Sequence, residues 1–215
     1  MTIVYQLGNK LYLNITNSCS CDCVFCIRNH TQGVGDAESL WLEREPNLEE
    51  IKTAIDEKFA AILNTNENSN GSSPSAIDEI VFCGYGEPME RASDVIAISQ
   101  YIKNHYSSFY RKPALLVRLN TNGLVFLMHP SFDISQLAII DTVSISLNAD
   151  DPEEYQRVSQ PRYGEVSYDS LLEFARQAKA YTSVVFSVVD GTISAKRMEN
   201  CRRIAEDMGI PLRVR

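Results

Sequence analysis

The sequence predicts an α/β fold in the form of a partial (β/α)6 TIM-like barrel, which is an open parallel sheet with outer helices. Six short strand patterns alternate with helical patterns, and this order is typical of parallel strands joined by helical crossovers. Six units are too few for a closed barrel of eight. A doubly wound sheet also has this order, but its strands are covered on both faces and are apolar on both. Several strands here keep one polar face, so we favour the open, curved sheet.

The elements follow from local patterns. In the first strand, Leu11, Leu13 and Ile15 alternate with more polar residues, which is the period of a half-buried strand. The first long helix opens at Asn47, and Glu50 follows at the spacing of a capping box. The predicted strands cover residues 10–16, 79–83, 115–121, 142–148, 184–189 and 212–215. The predicted helices cover residues 47–62, 92–106, about 134–140, a short stretch from 151, 168–181 and 194–209.

The chain is expected to form a single domain over residues 1–215, because the alternation of elements continues along its whole length. Residues 64–75 are rich in Asn and Ser and have no apolar periodicity. We therefore expect this segment to be a mobile surface loop. It does not mark a domain boundary, since the pattern of strands and helices resumes unchanged after it.

Composition and charge exclude several functions. Apolar residues make up 44% of the chain and charged residues 22%, which is ordinary for a globular protein with a sizeable core. The net charge of −8 argues against broad nucleic-acid binding and against an anionic membrane surface. No apolar run has membrane-spanning length and the N-terminus lacks a signal-peptide layout, so we expect a cytoplasmic protein. In the cytoplasm, clustered cysteines are more often metal ligands or redox groups than disulfides.

Four of the six cysteines lie together, directly after the first predicted strand. Cys19, Cys23 and Cys26 have the spacing C-x3-C-x2-C, and Cys21 lies between them. Three thiolates on one short loop can hold three corners of an iron–sulfur cube and leave the fourth iron without a protein ligand. We expect Cys21 to be a spare thiol. The alternative is a structural zinc site, in which Cys21 or His30 supplies the fourth ligand.

Other polar residues follow the later strands in the same way. Because the carboxyl ends of parallel strands meet at one edge of a sheet, we expect these residues to share one rim with the cysteines. They lie at 84–87, 120–123 and 146–148 and at Asp190. Arg118 faces the predicted concavity, where it binds an anion of the substrate or cofactor, or pairs with an internal acid.

The cysteine loop resembles the signature of the radical S-adenosylmethionine (radical SAM) superfamily. Cys19, Cys23 and Cys26 match its three cysteines, and Phe25 matches the aromatic position before the last. The resemblance implies that these thiolates hold a [4Fe–4S] cluster and that S-adenosylmethionine (SAM) binds its open iron. It also implies the reaction: reductive cleavage of SAM to a 5′-deoxyadenosyl radical, which abstracts hydrogen from a substrate.

Three further segments resemble the superfamily, each at the end of a predicted strand. Residues 84–88, GYGEP, resemble its GGE motif; residues 120–123, NTNG, resemble its TNG turn; and residues 144–148, SISLN, resemble its fourth-strand segment. The resemblance implies that Gly86 and Glu87 hold the methionine amino group of SAM. The other cofactor contacts that we carry over are Phe25, Gly84, Tyr85, Asn120, Asn122, Ser146 and Asn148. At the end of the fifth predicted strand, Val189 is a further candidate for the adenine pocket.

The resemblance covers about residues 10–190, and the layout is similar to that of the small TatD-associated radical SAM subgroup. That name does not identify a reaction. The resemblance implies an external one-electron donor of the flavodoxin or ferredoxin type. The substrate stays open between another enzyme activated as a glycyl radical, a small molecule, a peptide and a nucleotide. The alternative from a different class is a non-catalytic protein, either a zinc-stabilised binding module or an iron–sulfur electron carrier.

Overall fold

Seven strands form one sheet in the computed structural model, which describes residues 1–31, 33–67, 77–106 and 115–215. The strands are β1 (Val4–Leu7), β2 (Lys10–Leu13), β3 (Glu79–Phe82), β4 (Leu116–Thr121), β5 (Thr142–Ser146), β6 (Ser183–Val188) and β7 (Leu212–Val214). They lie in the sheet in their order along the chain. β1 runs antiparallel to β2, and the other neighbouring strands are parallel. The predicted α/β fold is confirmed, with an open, mostly parallel sheet consistent with a partial TIM-like barrel.

The sequence analysis predicts six of these strands, and β1 is the additional one. It has four residues and pairs with β2 through a tight turn at Gly8 and Asn9. Gly8 has φ +61°, a left-handed conformation that favours glycine in such turns. On the outer side of β1, the Gln6 N–H donates to Asp36 Oδ1 at 2.6 Å, and the Asp36 N–H donates to the Gln6 carbonyl at 3.2 Å. A loop therefore covers part of the free edge of the sheet.

The helices follow the strands as crossovers. They are α1 (Leu48–Glu67), α2 (Ala92–Tyr106), α3 (Val125–Met128), α4 (Pro152–Ser159), α5 (Val166–Ala178) and α6 (Ala195–Asp207), with 3-10 turns at Ile27–Asn29, Pro88–Arg91 and Ile134–Ile139. The predicted capping box at α1 is confirmed, because the Glu50 N–H donates to Asn47 Oδ1 at 3.0 Å and the Asn47 N–H donates to Glu50 Oε2 at 2.8 Å. Within the described ranges, no helix combines the length and the apolar character needed to cross a membrane.

Several element boundaries differ from the prediction, and α3 is an additional short helix. α1 continues to Glu67, so the first four residues of the predicted loop at 64–75 are helical, and residues 68–75 lie outside the described part of the chain. α5 begins at Val166, two residues before the predicted start. The predicted helix at about 134–140 is a 3-10 helix that opens at Asp133, whose side chain accepts a hydrogen bond from the Ser135 N–H.

The two faces of the sheet differ in polarity. Leu13, Phe82, Leu119 and Val143 lie side by side in four neighbouring strands and pack with the helices in the main core. Successive residues of a strand point to opposite faces, so the intervening residues form a second face away from this core. We call it the open face. Its polar and charged members include Tyr12, Cys83, Arg118, Asn120, Ser144, Ser146, Ser187 and Arg213.

Arg118 pairs with an acid on this open face. Its Nη2 lies 2.7 Å from Glu79 Oε1, and its Nε donates to the same oxygen at 2.8 Å. Lys10 Nζ lies 2.5 Å from Glu79 Oε2. Burial raises the pKa of the Glu79 carboxyl, but Arg118 and Lys10 outweigh it and hold the pKa below its ordinary value. Of the two roles considered for Arg118, the structure has the internal ion pair.

We expect Glu79→Gln to lower the free energy of unfolding by about 3 kcal/mol at pH 7, because it leaves Arg118 and Lys10 without their shared counter-charge. The folded-state pKa of Glu79 is depressed, so the stabilisation is present above the unfolded-state pKa of about 4.3. It is lost as the pH falls through the folded-state pKa. Urea denaturation at several pH values measures the difference.

The matched control is Glu173→Gln, which breaks an ion pair between the exposed side chains of Glu173 and Arg176. We expect this control to change the stability much less than Glu79→Gln. Equal effects of the two variants would contradict the role given to Glu79.

Candidate cofactor site

The cysteine loop leaves the carboxyl end of β2. Cys19, Cys23 and Cys26 are half-buried, and all three carry free thiols. A turn closes the end of the loop, since the Cys26 N–H donates to the Cys23 carbonyl at 3.0 Å. The 3-10 helix Ile27–Asn29 follows directly. The three predicted ligands thus lie on one loop that follows β2.

A segment that is distant in sequence holds this loop in place. The Asp22 N–H donates to the Gln160 carbonyl at 3.2 Å, and the Val24 N–H donates to the Val158 carbonyl at 3.0 Å. Cys21 and Pro161 form an isolated antiparallel bridge. We call residues 158–162 the strap. It begins in the last turn of α4 and fixes the backbone of the loop between the cysteines, which the sequence alone does not indicate.

Cys21 differs from the other three cysteines of the loop. It is 5% exposed, and Asn122 Nδ2 lies 3.6 Å from its sulfur. A hydrogen bond with Cys23, together with burial, raises the pKa of Cys21, and the same hydrogen bond lowers the pKa of Cys23. Ser159 forms a second hydrogen bond that lowers the pKa of Cys23.

Within the described residues, no three side chains of His, Cys, Asp or Glu converge in a group able to hold a metal ion. A zinc ion needs four ligands at about 2.0 to 2.3 Å from one point. Free, half-buried thiols are soft donors of the kind that iron–sulfur clusters use. The chemistry of the three cysteines therefore suits such a cluster.

The two glycines after β3 are required by contact with the neighbouring strand end. A Cβ on Gly84 would lie 2.1 Å from Asn14 Oδ1, and a Cβ on Gly86 would lie 2.3 Å from the Thr16 carbonyl oxygen. Real Cβ atoms do not approach so closely. The family resemblance assigns both glycines to cofactor contacts, whereas the described contacts explain them by packing against the start of the cysteine loop.

Tyr85 directs its side chain away from this loop. Its hydroxyl donates to the Thr31 carbonyl, and its ring packs edge-on against Trp41 with centroids 5.2 Å apart. The ring belongs to a second small core with Tyr5 and Leu40. Tyr85 can therefore reach a cofactor at the rim through its backbone, while its side chain anchors the segment that follows the cysteine loop.

Glu87 joins three strand ends. It is 4% exposed, and its carboxylate accepts hydrogen bonds from the N–H of Met89 at 2.9 Å, from Thr121 Oγ1 at 2.7 Å and from the N–H of Asn122 at 2.7 Å. Its own N–H donates to the Ser18 carbonyl at 2.7 Å. Burial raises the pKa of Glu87 to about 7 against these hydrogen bonds, which favour the charged form. Glu87 thus connects the ends of β3 and β4 to the cysteine loop through buried hydrogen bonds.

The two asparagines at the end of β4 differ in their partners. The Asn122 side chain is engaged within the protein, because Nδ2 donates to Ser20 Oγ at 2.9 Å and Oδ1 accepts from the Leu124 N–H at 3.0 Å. Asn120 is half-buried, and its Oδ1 has no hydrogen-bond partner. Asn120 therefore retains an acceptor for a ligand, and Asn122 positions the cysteine loop.

Asn148, after β5, shows the clearest sign of an absent partner. It is 2% exposed, has φ +56° in the left-handed region, and its Oδ1 has no hydrogen-bond partner among the described residues. Such a conformation is uncommon outside glycine, and a buried amide oxygen without a partner costs free energy. Its Nδ2 lies 3.5 Å from Ser159 Oγ, beside Cys23. This unpartnered acceptor beside the cysteine loop fits a site that binds a polar ligand.

The remaining predicted contacts lie around these groups. Ser146 Oγ accepts a hydrogen bond from Arg215 Nη2 at 3.1 Å. Val189, after β6, is half-buried, and its carbonyl accepts from Thr192 Oγ1 at 2.7 Å. Phe25 is half-buried against the main core. The sequence analysis omits Ser159 and the strap, because nothing in residues 158–162 signals that they meet the cysteines.

Solved structures with this fold were found by comparison. The structural neighbours of this chain are radical SAM enzymes. A radical SAM methyltransferase from Sphaerobacter thermophilus is 16% identical, with a TM-score of 0.64 over 99% of this chain and 68% of that one. SuiB from Streptococcus suis, bound to its precursor peptide SuiA, is 13% identical, with a TM-score of 0.62 over 98% of this chain and 40% of that one. The enzyme anSMEcpe with bound AdoMet is 15% identical, with a TM-score of 0.56 over 94% and 50%.

These identities are low, so the likeness shows the fold alone. No family model and no curated protein matches the chain. The chain spans 68%, 40% and 50% of the three neighbours, which therefore carry substantial further sequence.

We expect Glu87→Gln to lower the free energy of unfolding of the metal-free chain by about 2 kcal/mol. The amide NH2 turns one of the accepting oxygens into a donor that faces another N–H or hydroxyl inside the protein. Chemical denaturation measures the change. The matched control is Glu90→Gln in the same 3-10 turn, where one carboxylate oxygen already lacks a partner. A destabilisation by Glu90→Gln as large as that by Glu87→Gln would contradict the assignment.

Proposed function

We propose that this chain is a radical SAM enzyme. In this proposal Cys19, Cys23 and Cys26 hold a [4Fe–4S] cluster, and SAM binds beside it at the rim. The observation that carries the proposal is the division of the four cysteines on one loop. Three are half-buried at the strand ends, and Cys21 is buried as a hydrogen-bond donor to Cys23. The superfamily of the structural neighbours supports the same reading.

When bound, the cluster supplies one electron that splits SAM into methionine and a 5′-deoxyadenosyl radical, which takes a hydrogen atom from the substrate. The chain's own residues prepare the site. Cys21 and Ser159 stabilise the Cys23 thiolate through hydrogen bonds. Asn120 and Asn148 offer amide oxygens without partners, which can accept hydrogen bonds from hydroxyl or ammonium groups of SAM.

Glu87 has a different role in this proposal from the one that its motif implies. Its Oε1 already accepts hydrogen bonds from Met89 and Thr121, whereas Oε2 accepts one from Asn122 and keeps further acceptor capacity. We propose that Gly86 and Glu87 hold the methionine amino group while Glu87 also fixes the three strand ends. Phe25, Ser146 and Val189 remain proposed contacts of the adenosine part, and Gly84 and Tyr85 remain proposed backbone contacts.

For the substrate and the electron donor, we propose only a chemical class. Two structural neighbours are described with peptides, SuiB with its precursor peptide SuiA and anSMEcpe with a Cp18Cys peptide. A peptide or protein substrate is therefore one candidate for this chain, beside a small molecule. The proposed electron donor is an external flavodoxin or ferredoxin-like protein. Membership of the TatD-associated subgroup and a cytoplasmic location remain predictions.

The proposal is tested by anaerobic reconstitution of the chain with iron and sulfide. We expect about four iron atoms per chain, with the charge-transfer absorption of a [4Fe–4S] cluster. Addition of dithionite and SAM should then produce 5′-deoxyadenosine and methionine. One equivalent of zinc with no iron would favour the binding-module alternative. A stable cluster that never cleaves SAM would favour the electron-carrier alternative.

We expect Cys21→Ser to leave the iron content of the reconstituted chain unchanged, because Cys21 points into the protein as a donor and is not assigned as a ligand. Cys23→Ser is the matched comparison, with the same chemical change two residues away, and should lower the iron content strongly. Iron and sulfide analysis after reconstitution gives both numbers. Loss of iron in Cys21→Ser as great as in Cys23→Ser would refute the choice of ligands.

Ser159→Ala removes a hydrogen-bond donor from Cys23. Hydrogen bonds to the sulfurs raise the reduction potential of an iron–sulfur cluster, so we expect the variant to load iron normally and to have a more negative potential. A redox titration followed by electron paramagnetic resonance measures the shift without any assay of activity. The control is Ser167→Ala, a buried serine whose hydroxyl has no partner, which should leave the potential unchanged. An unshifted potential in Ser159→Ala would remove this role.

A further inference from the structure

Positive charge collects on the open face of the sheet, although the chain as a whole has a net charge of −8. Four cations belong to this face. Lys10 and Arg118 share one acid, Glu79. Arg213 and Arg215 come from the other end of the sheet, at β7, and neither forms a salt bridge with any acid of the described residues. The face therefore carries more positive than negative charge.

The pairing of β6 and β7 fixes the direction of these two arginines. Arg213 lies opposite Ser187, whose side chain is on the open face. The Arg215 N–H donates to the Val188 carbonyl at 3.0 Å, so the strand geometry extends to this residue and Arg215 shares the face of Arg213. The Arg215 guanidinium then reaches across β6 and donates through Nη2 to Ser146 Oγ at 3.1 Å.

The Arg215 guanidinium lies over β5, where it contacts Ser146, and the charges of both arginines act on groups of the middle strands. Burial raises the pKa of the Cys83 thiol after β3, and the positive charges of Arg215 and Arg213 oppose this rise. Burial likewise raises the pKa of Tyr12 on β2, where Arg118 and Arg213 act in the opposite direction. Arg213 on β7 and Tyr12 on β2 therefore belong to the same face of the sheet.

Two arginines that share a face and have no counter-charge among the described residues can form a receptor for an oxyanion. A guanidinium donates two parallel hydrogen bonds to a carboxylate or a phosphate, and this geometry is more specific than a lysine's point charge. Arg213 lies within the paired strands, whereas the predicted SAM contacts Asn148 and Val189 lie beyond the strand ends. Ser146, a third predicted SAM contact, lies at the level of Arg213 and accepts a hydrogen bond from Arg215, so an anion held by the two arginines would lie beside the site proposed for SAM.

We propose that Arg213 and Arg215 bind an anionic group of the substrate, either a carboxylate or a phosphate. This assignment rests on the proposed function, because it needs a substrate that enters the open face beside the cysteine loop. The anionic group of the substrate would then point toward β7.

The test uses the full chain and simple anions as probes. Arginine Nε–H resonances are followed by nuclear magnetic resonance during titration with inorganic phosphate and, separately, with acetate. We expect Arg213 and Arg215 to shift saturably, while Arg118, paired with Glu79, and Arg202, exposed on α6, do not. The probe that binds with the higher affinity indicates whether the anionic group of the substrate is a phosphate or a carboxylate. Absence of saturable shifts at Arg213 and Arg215, or equal shifts at Arg202, overturns the proposal.

Substitutions separate the substrate from SAM. Arg213→Gln should weaken binding of the stronger probe by about tenfold, the loss typical of one charge-assisted hydrogen-bond pair. Arg202→Gln changes the net charge equally and should have no effect. SAM binding to the reconstituted chain should be the same in wild type and Arg213→Gln. A loss of SAM affinity equal to the loss of probe affinity would assign the anion to the SAM carboxylate and overturn the substrate assignment.

Failure of the proposed function has a separate signature. Wild-type chain that binds phosphate or acetate saturably at the two arginines but forms no 5′-deoxyadenosine with SAM and dithionite would refute the radical SAM proposal. The substrate assignment would fall with it, and the anion site itself would stand. If the chain cleaves SAM but binds no anion at Arg213 and Arg215, the radical SAM proposal stands and the anion site is refuted.

Discussion

A single buried carboxylate organises the rim of this protein. Glu87 accepts hydrogen bonds from its own 3-10 turn and from both residues at the end of β4, while its backbone N–H holds the start of the cysteine loop. These contacts join segments that are far apart in the sequence. Because a buried acceptor that loses its donors is costly, the positions of these segments depend on one another. The geometry of the cysteine loop is therefore set by the sheet as well as by its own residues.

The fold was largely accessible from the sequence because its signals are local. The alternation of Leu11, Leu13 and Ile15 and the capping box of Asn47 and Glu50 are each carried by residues close together in the chain. β1 was not accessible in this way, because four residues carry too little pattern to outweigh their surroundings. The alternation of polar residues predicted the open face. The pairing of Arg118 with Glu79 was not predicted, because it depends on the register between β3 and β4.

The sequence identified which residues form the candidate site, but it did not predict the contacts between them. The spacing of Cys19, Cys23 and Cys26 identifies candidate ligands, since ligand spacing is a local property. The orientation of Cys21 depends on Asn122 and on the strap, which are distant in sequence. Tyr85 illustrates the opposite case: it lies inside a motif, yet its side chain belongs to the second core with Trp41 nearby. Motif membership places the backbone of a residue and leaves its side chain to packing.

The strap also constrains the order of events during synthesis of the chain. Its backbone groups at Val158 and Gln160 receive hydrogen bonds from the cysteine loop, and the Arg162 N–H donates to the Ser20 carbonyl at 2.9 Å. The cysteines emerge from the ribosome early, whereas these partners are made only after β5 and α4. Since contacts between distant segments form late in folding, the loop reaches its native shape only once most of the sheet is in place. The native shape of the cysteine loop is therefore a late product of folding, because it depends on residues made well after the cysteines.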